Sequence, residues 1–429
     1  MALSDISLAR FNLDKSVEAI GVKKWICILA AAVAAGGWAA ELHQVVIVSR
    51  HNLRAPLDSA MQDLAESTTN KWFAWTSAPG ELSRKGAALE TAMGGWFRDW
   101  LGDAGLFDRN AMLDPAQVRF IANNMQRTVA TARSFAAGFM PEADVVVEHL
   151  SFDIVQDPRF ALLVLSPDAG LSERIERQLD ETFGGGAGID RSLVASYALI
   201  ARVIDYSGSP RGRRPDAAPF ASTGVSHFDV VRPPQSIGLY GPLGEAYPVA
   251  DSLMLQQYED PSAAASFGHP LTWEEWRLIG KVKETYISMR YGTKAMSAKL
   301  GSEFLPMVAS HLGRGEPRLV FMGAHDATLA QLATQLDAEP YELPDAVEYR
   351  TPIGSKIVLG RWRCNDGTDR LSVDFVYQTT AQIRACQPAD RVHPPRVVRL
   401  RLKGLEADAE GRYLLEAVLP RLMFPNPGP

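Results

Sequence analysis

The segment Arg50-His51-Asn52-Leu53-Arg54 places a histidine between two arginines, directly after an apolar run. A guanidinium presents a planar fork of N–H donors that matches phosphate oxygens in bidentate fashion. A neutral imidazole between two such groups can attack phosphorus and carry the phosphoryl group covalently. The positive charges should also lower the pKa of His51 and keep it unprotonated in acid. The segment predicts phosphoryl transfer, while the same letters also fit a solvated basic turn.

A second polar pair, His325-Asp326, follows another apolar run and precedes a helical pattern. Here His325 could bind phosphate while Asp326, partly protonated beside a dianion, gives a proton to a leaving alkoxide. The competing interpretation makes Asp326 a simple N-cap of the helix. Arg127 is a third candidate arginine, within a helical pattern that starts near Pro115, and a lone helical arginine usually lies on the surface.

The elements around these residues indicate an α/β fold. Residues 44–49 and 318–322 are short apolar runs typical of buried strands, and both lead directly into a polar cluster. Open α/β sheets bind their ligands at the carboxyl ends of strands. Helical periodicity covers residues 81–101, 115–137, 250–258, 273–291 and 298–312, and further strands are indicated at 356–362, 371–377 and 396–402. We therefore predict a core of residues 40–147 and 293–429 with a mostly helical insertion, 148–292.

Composition excludes several classes of function. Of 429 residues, 46% are hydrophobic, and 44 Lys and Arg stand against 50 Asp and Glu, a formal net charge of -6 that gives no basis for binding nucleic acid or an anionic membrane. No CxxC, HxH, HExxH, GxSxG or GxxxxGK[ST] pattern occurs, so we expect neither a metal nor a cofactor, and no serine nucleophile of the hydrolase type. The other histidines have no chemical partners in sequence and should be structural or superficial: His43, His149, His227, His269, His311 and His393.

The amino terminus resembles a secretory signal. Lys23-Lys24 precedes the apolar run 25–40, which is shorter than the roughly 20 residues of a membrane-spanning helix and ends in small residues. We expect residues 1–39 to be a signal peptide and the protein to be periplasmic or secreted; an uncleaved anchor is the alternative. In an oxidising compartment Cys364 and Cys386 could form a disulfide or remain two buried thiols.

Taken together, RHNLRAP after a strand, QRT in a helix and HDATL after a late strand resemble the histidine acid phosphatases, in the branch that holds phytases and glucose-1-phosphatases. The family's usual opening motif is RHGxRxP, and the form with Asn52 in place of glycine resembles the glucose-1-phosphatases in particular. Further likenesses, such as NMQRTVATA and RTPIGSK, extend the resemblance over residues 42–420.

The resemblance implies a phosphoglycerate-mutase-like core sheet flanked by helices, with a mostly helical inserted domain. It assigns His51 as the nucleophile that becomes phosphohistidine and Asp326 as the proton donor. The groups that hold the phosphate would be Arg50, Arg54, Arg127 and His325. Thr328 stands where relatives often carry asparagine, and residues 235–237 lack the acidic sugar contact that is usual in glucose-1-phosphatases.

We therefore expect an acid phosphomonoesterase that acts on a small phosphate ester, with glucose 1-phosphate as the leading substrate and no metal or cofactor. The alternatives are a phytase that hydrolyses inositol hexakisphosphate, a mutase, and a non-catalytic sugar-phosphate binding protein. The insertion should form the outer wall of the pocket, with residues 235–240 deciding substrate preference. We expect no membrane partner after signal cleavage, and a monomer or homodimer.

The first prediction concerns export. Protein recovered from the periplasm or the medium should begin near Ala40 or Glu41, because the small residues before this point suit a signal peptidase. Amino-terminal sequencing or intact mass measures the start. Recovery of only the full-length chain from the cytosol would contradict the prediction.

Overall fold

The protein is described by a computed structural model that covers residues 40–164, 170–231 and 236–428. The predicted signal peptide, 1–39, lies outside these residues. Within them, no helix is both long enough and apolar enough to cross a membrane.

The described residues form a mixed sheet, a separate pair of strands, and helices. The strands are β1 (Ala40–Arg50), β2 (Val118–Ala122), β3 (Val147–Glu148), β4 (His227–Val231), β5 (Ser236–Tyr240), β6 (Leu319–Ala324), β7 (Lys356–Cys364), β8 (Asp369–Tyr377), β9 (Arg396–Arg399) and β10 (Tyr413–Leu414). The helices are α1 (Met61–Ser67), α2 (Arg84–Asp103), α3 (Gln126–Phe139), α4 (Leu171–Phe183), α5 (Gly185–Val203), α6 (Pro242–Glu259), α7 (Trp273–Tyr291), α8 (Lys294–Leu300), α9 (Phe304–Arg314), α10 (Asp326–Gln335), α11 (Thr380–Arg384) and α12 (Leu415–Met423).

The central sheet has the strand order β10-β8-β7-β1-β6-β2-β3, and β9 adds to β8. Strands β1, β6, β2 and β3 are parallel to one another, while β7, β8 and β10 continue the sheet in antiparallel fashion. Parallel strands need helical crossovers, which cover both faces and require apolar side chains on both. The predicted α/β class is confirmed.

Side chains of β1 alternate between two hydrophobic clusters, one on each face of the sheet. Val46 and Val48 pack with α9, α10 and α12, whereas Val45 and Ile47 pack with α2 and α3. This alternation follows from the two-residue period of a strand. Burial on both faces fixes the register of β1 and with it the position of the residues that follow Arg50.

A third cluster joins helices α4 to α8 to the carboxyl edge of the sheet. It includes Leu253 of α6 and Val282 of α7, together with Leu53 and Ala327, which stand inside the two polar motifs. The insertion therefore packs directly on the chain segments that carry the candidate site. We keep the domain boundaries at 148 and 292 as a proposal.

Two sequence predictions about secondary structure are wrong. The helix expected at 115–137 is a strand, β2, followed by a helix that begins only at Gln126; Val118, Phe120 and Ile121 suit a strand that pairs with β6 on one side and β3 on the other. The helix expected at 298–312 is divided into α8 and α9, because Gly301 ends the first.

The two described cysteines are not joined by a disulfide. Cys364 is a buried thiol and Cys386 an exposed one. The alternative of two buried thiols is thus correct for Cys364 only.

The second prediction concerns α2 and α3, whose backbones touch at glycines. An ideal Cβ on Gly138 would lie 1.8 Å from the carbonyl oxygen of Thr91, and one on Gly94 would lie 2.1 Å from that of Phe135. Gly138→Ala should therefore lower the free energy of unfolding by about 1–3 kcal/mol, although alanine is the better helix former. The control is Gly313→Ala in α9, where a Cβ meets nothing within 4 Å. Urea unfolding of both variants checks this, and equal effects would contradict it.

Candidate active site

Three polar loops begin at the carboxyl ends of three adjacent parallel strands. Arg50, the last residue of β1, lies in register with Ala324, the last residue of β6, and the backbone N–H of His51 donates to the carbonyl of Ala324 at 2.9 Å. Ala122 ends β2 opposite Gly323 of β6. The segments after residues 50, 122 and 324 therefore start from one edge of the sheet, which is why motifs far apart in sequence meet.

The imidazole of His51 is fixed by its own backbone neighbour. Nδ1 lies 2.8 Å from the carbonyl oxygen of Asn52, and the residue is only 3% exposed. A carbonyl oxygen only accepts hydrogen bonds, so Nδ1 carries the proton and Nε2 keeps its lone pair. The ring of His325 stands edge-on to it, with 5.5 Å between the ring centroids.

Burial and positive charge keep both histidines neutral. Burial is the largest cause and, with the charges of Arg127 and Arg54, holds the pKa of His51 well below its ordinary value. The same causes in the same order lower the pKa of His325. The sequence predicted the direction for His51 from the arginines alone, but exclusion from water contributes more.

The three arginines are neutralised unequally. Arg50 Nη1 lies 2.9 Å from Glu348 Oε1, and Arg54 Nη2 lies 2.9 Å from Asp251 Oδ2. Arg127 contacts a backbone carbonyl and a thioether sulfur, and has no carboxylate partner among the described residues. Burial and the charge of Arg54 lower the pKa of Arg127 to about 9. The charge of Arg127 is therefore not balanced by a carboxylate of the described residues.

Several buried N–H groups around His51 lack an acceptor among the described residues. They are the Nε–H groups of Arg50, Arg54 and Arg127; Nε2 of His325, which donates or accepts according to the tautomer, is also buried without a partner there. Buried donors in folded proteins are normally paired. A phosphate group supplies several charged acceptor oxygens at once, so the arrangement suits an anionic tetrahedral ligand.

Lys283 of α7 links the two carboxylates that hold the arginines. Its Nζ lies 2.8 Å from Asp251 Oδ1 and 2.7 Å from Glu348 Oε1. Lys283, Asp251 and Glu348 were not identified from the sequence as residues of the site. The available signal was Asp251, a carboxylate inside a largely apolar stretch of α6, whereas α7 carries several charged residues among which Lys283 does not stand out.

Asp326 is not the N-cap of α10, as one interpretation had it. His325 occupies the N-cap position, and Asp326 is the first helical residue, with Oδ1 accepting from the N–H of Ala327 at 2.9 Å. Its Oδ2 lies 3.4 Å from Arg50 Nη2, and its side chain is 15% exposed. Burial raises the pKa of Asp326, but Arg50 and Lys283 outweigh burial and hold it below the usual value.

All six residues singled out from the sequence thus belong to one cluster at the carboxyl edge of the sheet. They are Arg50, His51, Arg54, Arg127, His325 and Asp326. Across residues 40–164, 170–231 and 236–428, no group of three or more His, Cys, Asp or Glu side chains is arranged to hold a metal ion.

Comparison with known proteins agrees with this geometry. Residues 41–163 match the model of the histidine phosphatase superfamily (branch 2). The chain is 31% identical over 376 residues to the glucose-1-phosphatase of Salmonella typhimurium strain LT2, covering 86% of this chain and 89% of the relative. The chain belongs to this superfamily. It is therefore a phosphatase, a hydrolase whose substrates are phosphate esters.

Other relatives include phytases. Phytase AppA of Escherichia coli strain K12 is 25% identical, covering 85% of this chain and 87% of the relative. The apo phytase of Hafnia alvei superposes with a TM-score of 0.82 at 26% identity, covering 91% of this chain and 97% of that structure. The predicted phosphoglycerate-mutase-like fold of the histidine acid phosphatases is thus confirmed.

The third prediction separates the unpaired arginine from a paired one. Arg127→Met removes a buried charge without a carboxylate partner, so the thermal stability of the phosphate-free protein should stay level or rise. Arg54→Met deprives Asp251 of a partner and should cost about 1–3 kcal/mol. Both variants should lose the stabilisation that inorganic phosphate gives the wild type. Thermal unfolding with and without phosphate measures this, and equal destabilisation of the two phosphate-free variants would contradict it.

Proposed function

We propose that the protein hydrolyses phosphate monoesters of sugars through a phosphohistidine on Nε2 of His51. The observation that carries the proposal is the bond from Nδ1 to the carbonyl of Asn52, which leaves the Nε2 lone pair free beside three buried guanidinium groups whose Nε–H lacks an acceptor among the described residues. These groups suit the charge that develops on the equatorial oxygens of a transferred phosphoryl group.

In the first step, the Nε2 lone pair of His51 forms a bond to phosphorus as the bond from phosphorus to the ester oxygen breaks. The electron pair of the broken bond goes to the leaving oxygen, which takes a proton from the carboxylic acid form of Asp326. Arg50, Arg54 and Arg127 bind the phosphoryl oxygens throughout, so the positive charge that phosphoryl transfer needs comes from side chains.

In the second step, a water molecule attacks the phosphohistidine. Its oxygen bonds to phosphorus, the N–P electron pair returns to Nε2 of His51, and the carboxylate of Asp326 accepts a proton from the water. Inorganic phosphate leaves, and both groups regain their starting protonation states.

The mechanism needs His51 without its second proton and Asp326 in its protonated form, and the two forms can exist together at acidic pH. His51 must be neutral, and its lowered pKa provides this at acidic pH. Asp326 must be protonated, although Arg50 and Lys283 lower its pKa in the free protein. A bound phosphate dianion would raise that pKa. Turnover of esters with poor leaving groups should fall as the pH rises and Asp326 ionises.

Glucose 1-phosphate is the leading substrate because the relatives named glucose-1-phosphatase are 31% and 29% identical, above the phytase at 25%. Inositol hexakisphosphate remains the alternative, supported by the similarity to phytase structures. A non-catalytic binding protein is disfavoured, since it would not need both His51 and Asp326.

The wall beside Asp326 favours a hydroxylated leaving group. Tyr247 lies one turn before Asp251 on α6, and Tyr286 lies one turn after Lys283 on α7; their rings stack at 3.6 Å and 10°. Burial and the charges of Asp251 and Asp326 raise the pKa of Tyr247 well above its ordinary value, so its hydroxyl stays neutral. A neutral hydroxyl group can exchange hydrogen bonds with a sugar, and Arg290, which donates to the hydroxyl of Tyr286, adds one positive charge beside the two rings.

Two sequence-based expectations stay predictions. Residues 235–240, which we expect to form part of the pocket wall, begin at Gln235. Gln235 and the signal peptide, 1–39, lie outside the described residues. We propose that the mature enzyme acts outside the cytoplasm and that residues 235–240 contribute to substrate preference.

The fourth prediction concerns substrate. Phosphate release should be greatest with glucose 1-phosphate in a panel that also contains glucose 6-phosphate, p-nitrophenyl phosphate and inositol hexakisphosphate. EDTA throughout should leave the rates unchanged, because arginines supply the positive charge. Loss of activity in EDTA with rescue by Mg²⁺ or Zn²⁺ would overturn the mechanism, and a preference for inositol hexakisphosphate would favour the phytase alternative.

The fifth prediction separates nucleophile from acid. His51→Ala removes the atom that carries the phosphoryl group, so activity on every ester should fall to background. Asp326→Asn should lose on the order of 10² to 10⁴ in rate on sugar phosphates but much less on p-nitrophenyl phosphate, whose phenolate leaves without a proton. Rapid-quench trapping should find acid-labile phosphohistidine in wild type and Asp326→Asn only.

Two outcomes would contradict these roles. Equal losses on both esters would make Asp326 a residue that orients phosphate. A phosphoenzyme that persists in His51→Ala would exclude His51 as the nucleophile.

A further inference from the structure

Asn52 stands where the family motif commonly has glycine, and its side chain holds the peptide group that orients His51. The carbonyl of the Asn52-Leu53 peptide accepts from Nδ1 of His51 at 2.8 Å. The N–H of the same peptide, on Leu53, donates to Oδ1 of Asn52 at 2.8 Å. A peptide group is planar, so a fixed N–H direction also fixes the carbonyl direction.

The amide of Asn52 is anchored in turn by a buried ion pair. Its Nδ2 donates to Oε2 of Glu90 at 2.9 Å, and Oε1 of Glu90 lies 2.8 Å from Nζ of Lys356. Glu90 and Lys356 are both 0% exposed. Nζ of Lys356 also donates to the carbonyl of Gly354 at 2.8 Å, and the N–H of Gly354 donates to the carbonyl of His51 at 3.2 Å. These contacts therefore form a closed path that begins and ends at residues 51 and 52.

The backbone opposite Asn52 is shaped to admit this side chain. Gly354 has a φ of +68°, and an ideal Cβ on it would lie 2.6 Å from Nδ2 of Asn52. The close approach therefore requires glycine at 354 once position 52 carries an amide.

A fully buried ion pair is a poor source of stability, because the cost of removing two charges from water offsets their attraction. The carboxylates that hold Arg50 and Arg54 are Glu348 and Asp251, not Glu90. The Glu90–Lys356 pair instead contacts the segment around His51, through Asn52 on one side and Gly354 on the other. Positioning accounts for this pair better than stability does.

We propose that Asn52, Glu90 and Lys356 form a positioning relay that holds His51 as the Nδ1–H tautomer, with Nε2 free for attack. The relay rests on the proposed function, in which Nε2 is the nucleophile. None of the three side chains touches the ester; they act through the Asn52-Leu53 peptide.

The test compares Asn52→Ala with Gln44→Ala. Gln44 is a buried amide in the first half of β1, where its Nε2 donates to the carbonyls of His311 and Pro317 at 3.0 Å. Urea unfolding of both variants calibrates the stability that each substitution costs. Nitrogen-15 NMR of labelled histidine reports the tautomer of His51, and rapid quench measures the rate of phosphoenzyme formation on glucose 1-phosphate.

Asn52→Ala should give a mixture of His51 tautomers and slow phosphoenzyme formation by about 10-fold to 100-fold, the range expected when a reacting group is misplaced slightly. Gln44→Ala should leave the tautomer and the rate unchanged. The double variant Glu90→Leu/Lys356→Met removes the ion pair without leaving one buried charge alone. It should reproduce the tautomer mixture, and adding Asn52→Ala to it should slow the reaction by less than about threefold further.

An unchanged tautomer and rate in Asn52→Ala would overturn the relay. So would full additivity of Asn52→Ala with the double variant, which would show that the ion pair does not act through Asn52. Failure of the proposed function is distinguishable, because the tautomer is read without substrate: a wild type that never forms phosphohistidine contradicts the nucleophile assignment whatever the NMR spectra show.

Discussion

The site depends on burying guanidinium groups at the point where an anionic substrate binds. A buried charge without a partner is costly, so each guanidinium that the fold removes from water needs a compensating negative charge. Glu348 and Asp251 offset the charge of Arg50 and Arg54, and Lys283 bridges those two carboxylates. Arg127 has no such partner among the described residues, so a phosphate group completes a charge balance that the folded chain leaves open.

Because of this constraint, the site is built from residues of both the sheet and the proposed insertion. The arginines come from the sheet edge and from the start of α3, whereas Asp251 and Lys283 come from α6 and α7 of the insertion. The same two helices carry Tyr247, one turn before Asp251, and Tyr286, one turn after Lys283. In the proposed function, the helices that neutralise the arginines would therefore also contact the leaving group.

The positive charges of the site lower the pKa of both groups to which we propose catalytic roles. Burial and the arginines lower the pKa of His51, which suits a nucleophile that must be neutral in acid. Arg50 also lowers the pKa of Asp326, against the needs of a proton donor. In the proposed mechanism a bound phosphate dianion would offset the arginines near Asp326 and raise its pKa. Binding would then prepare Asp326 as an acid, whereas folding alone gives His51 its neutral form.

The sequence by itself determined the fold class and indicated the residues that we propose to react. Arg50, His51, Arg54, His325 and Asp326 stand in short segments after apolar runs, so local pattern was enough to place them at strand ends. Arg127 was a weak candidate in the sequence, because a lone helical arginine usually lies on the surface, and the resemblance to a family assigned it to the site. The strand β2 before it was mistaken for helix, and strand pairing with β6 and β3 decided the conformation of β2. Only the tertiary structure revealed Asp251, Lys283, Glu348 and the contacts of Asn52 with Glu90 and Lys356. These residues act through charge and hydrogen bonds between segments distant in sequence, and a single sequence does not show which partner another element supplies.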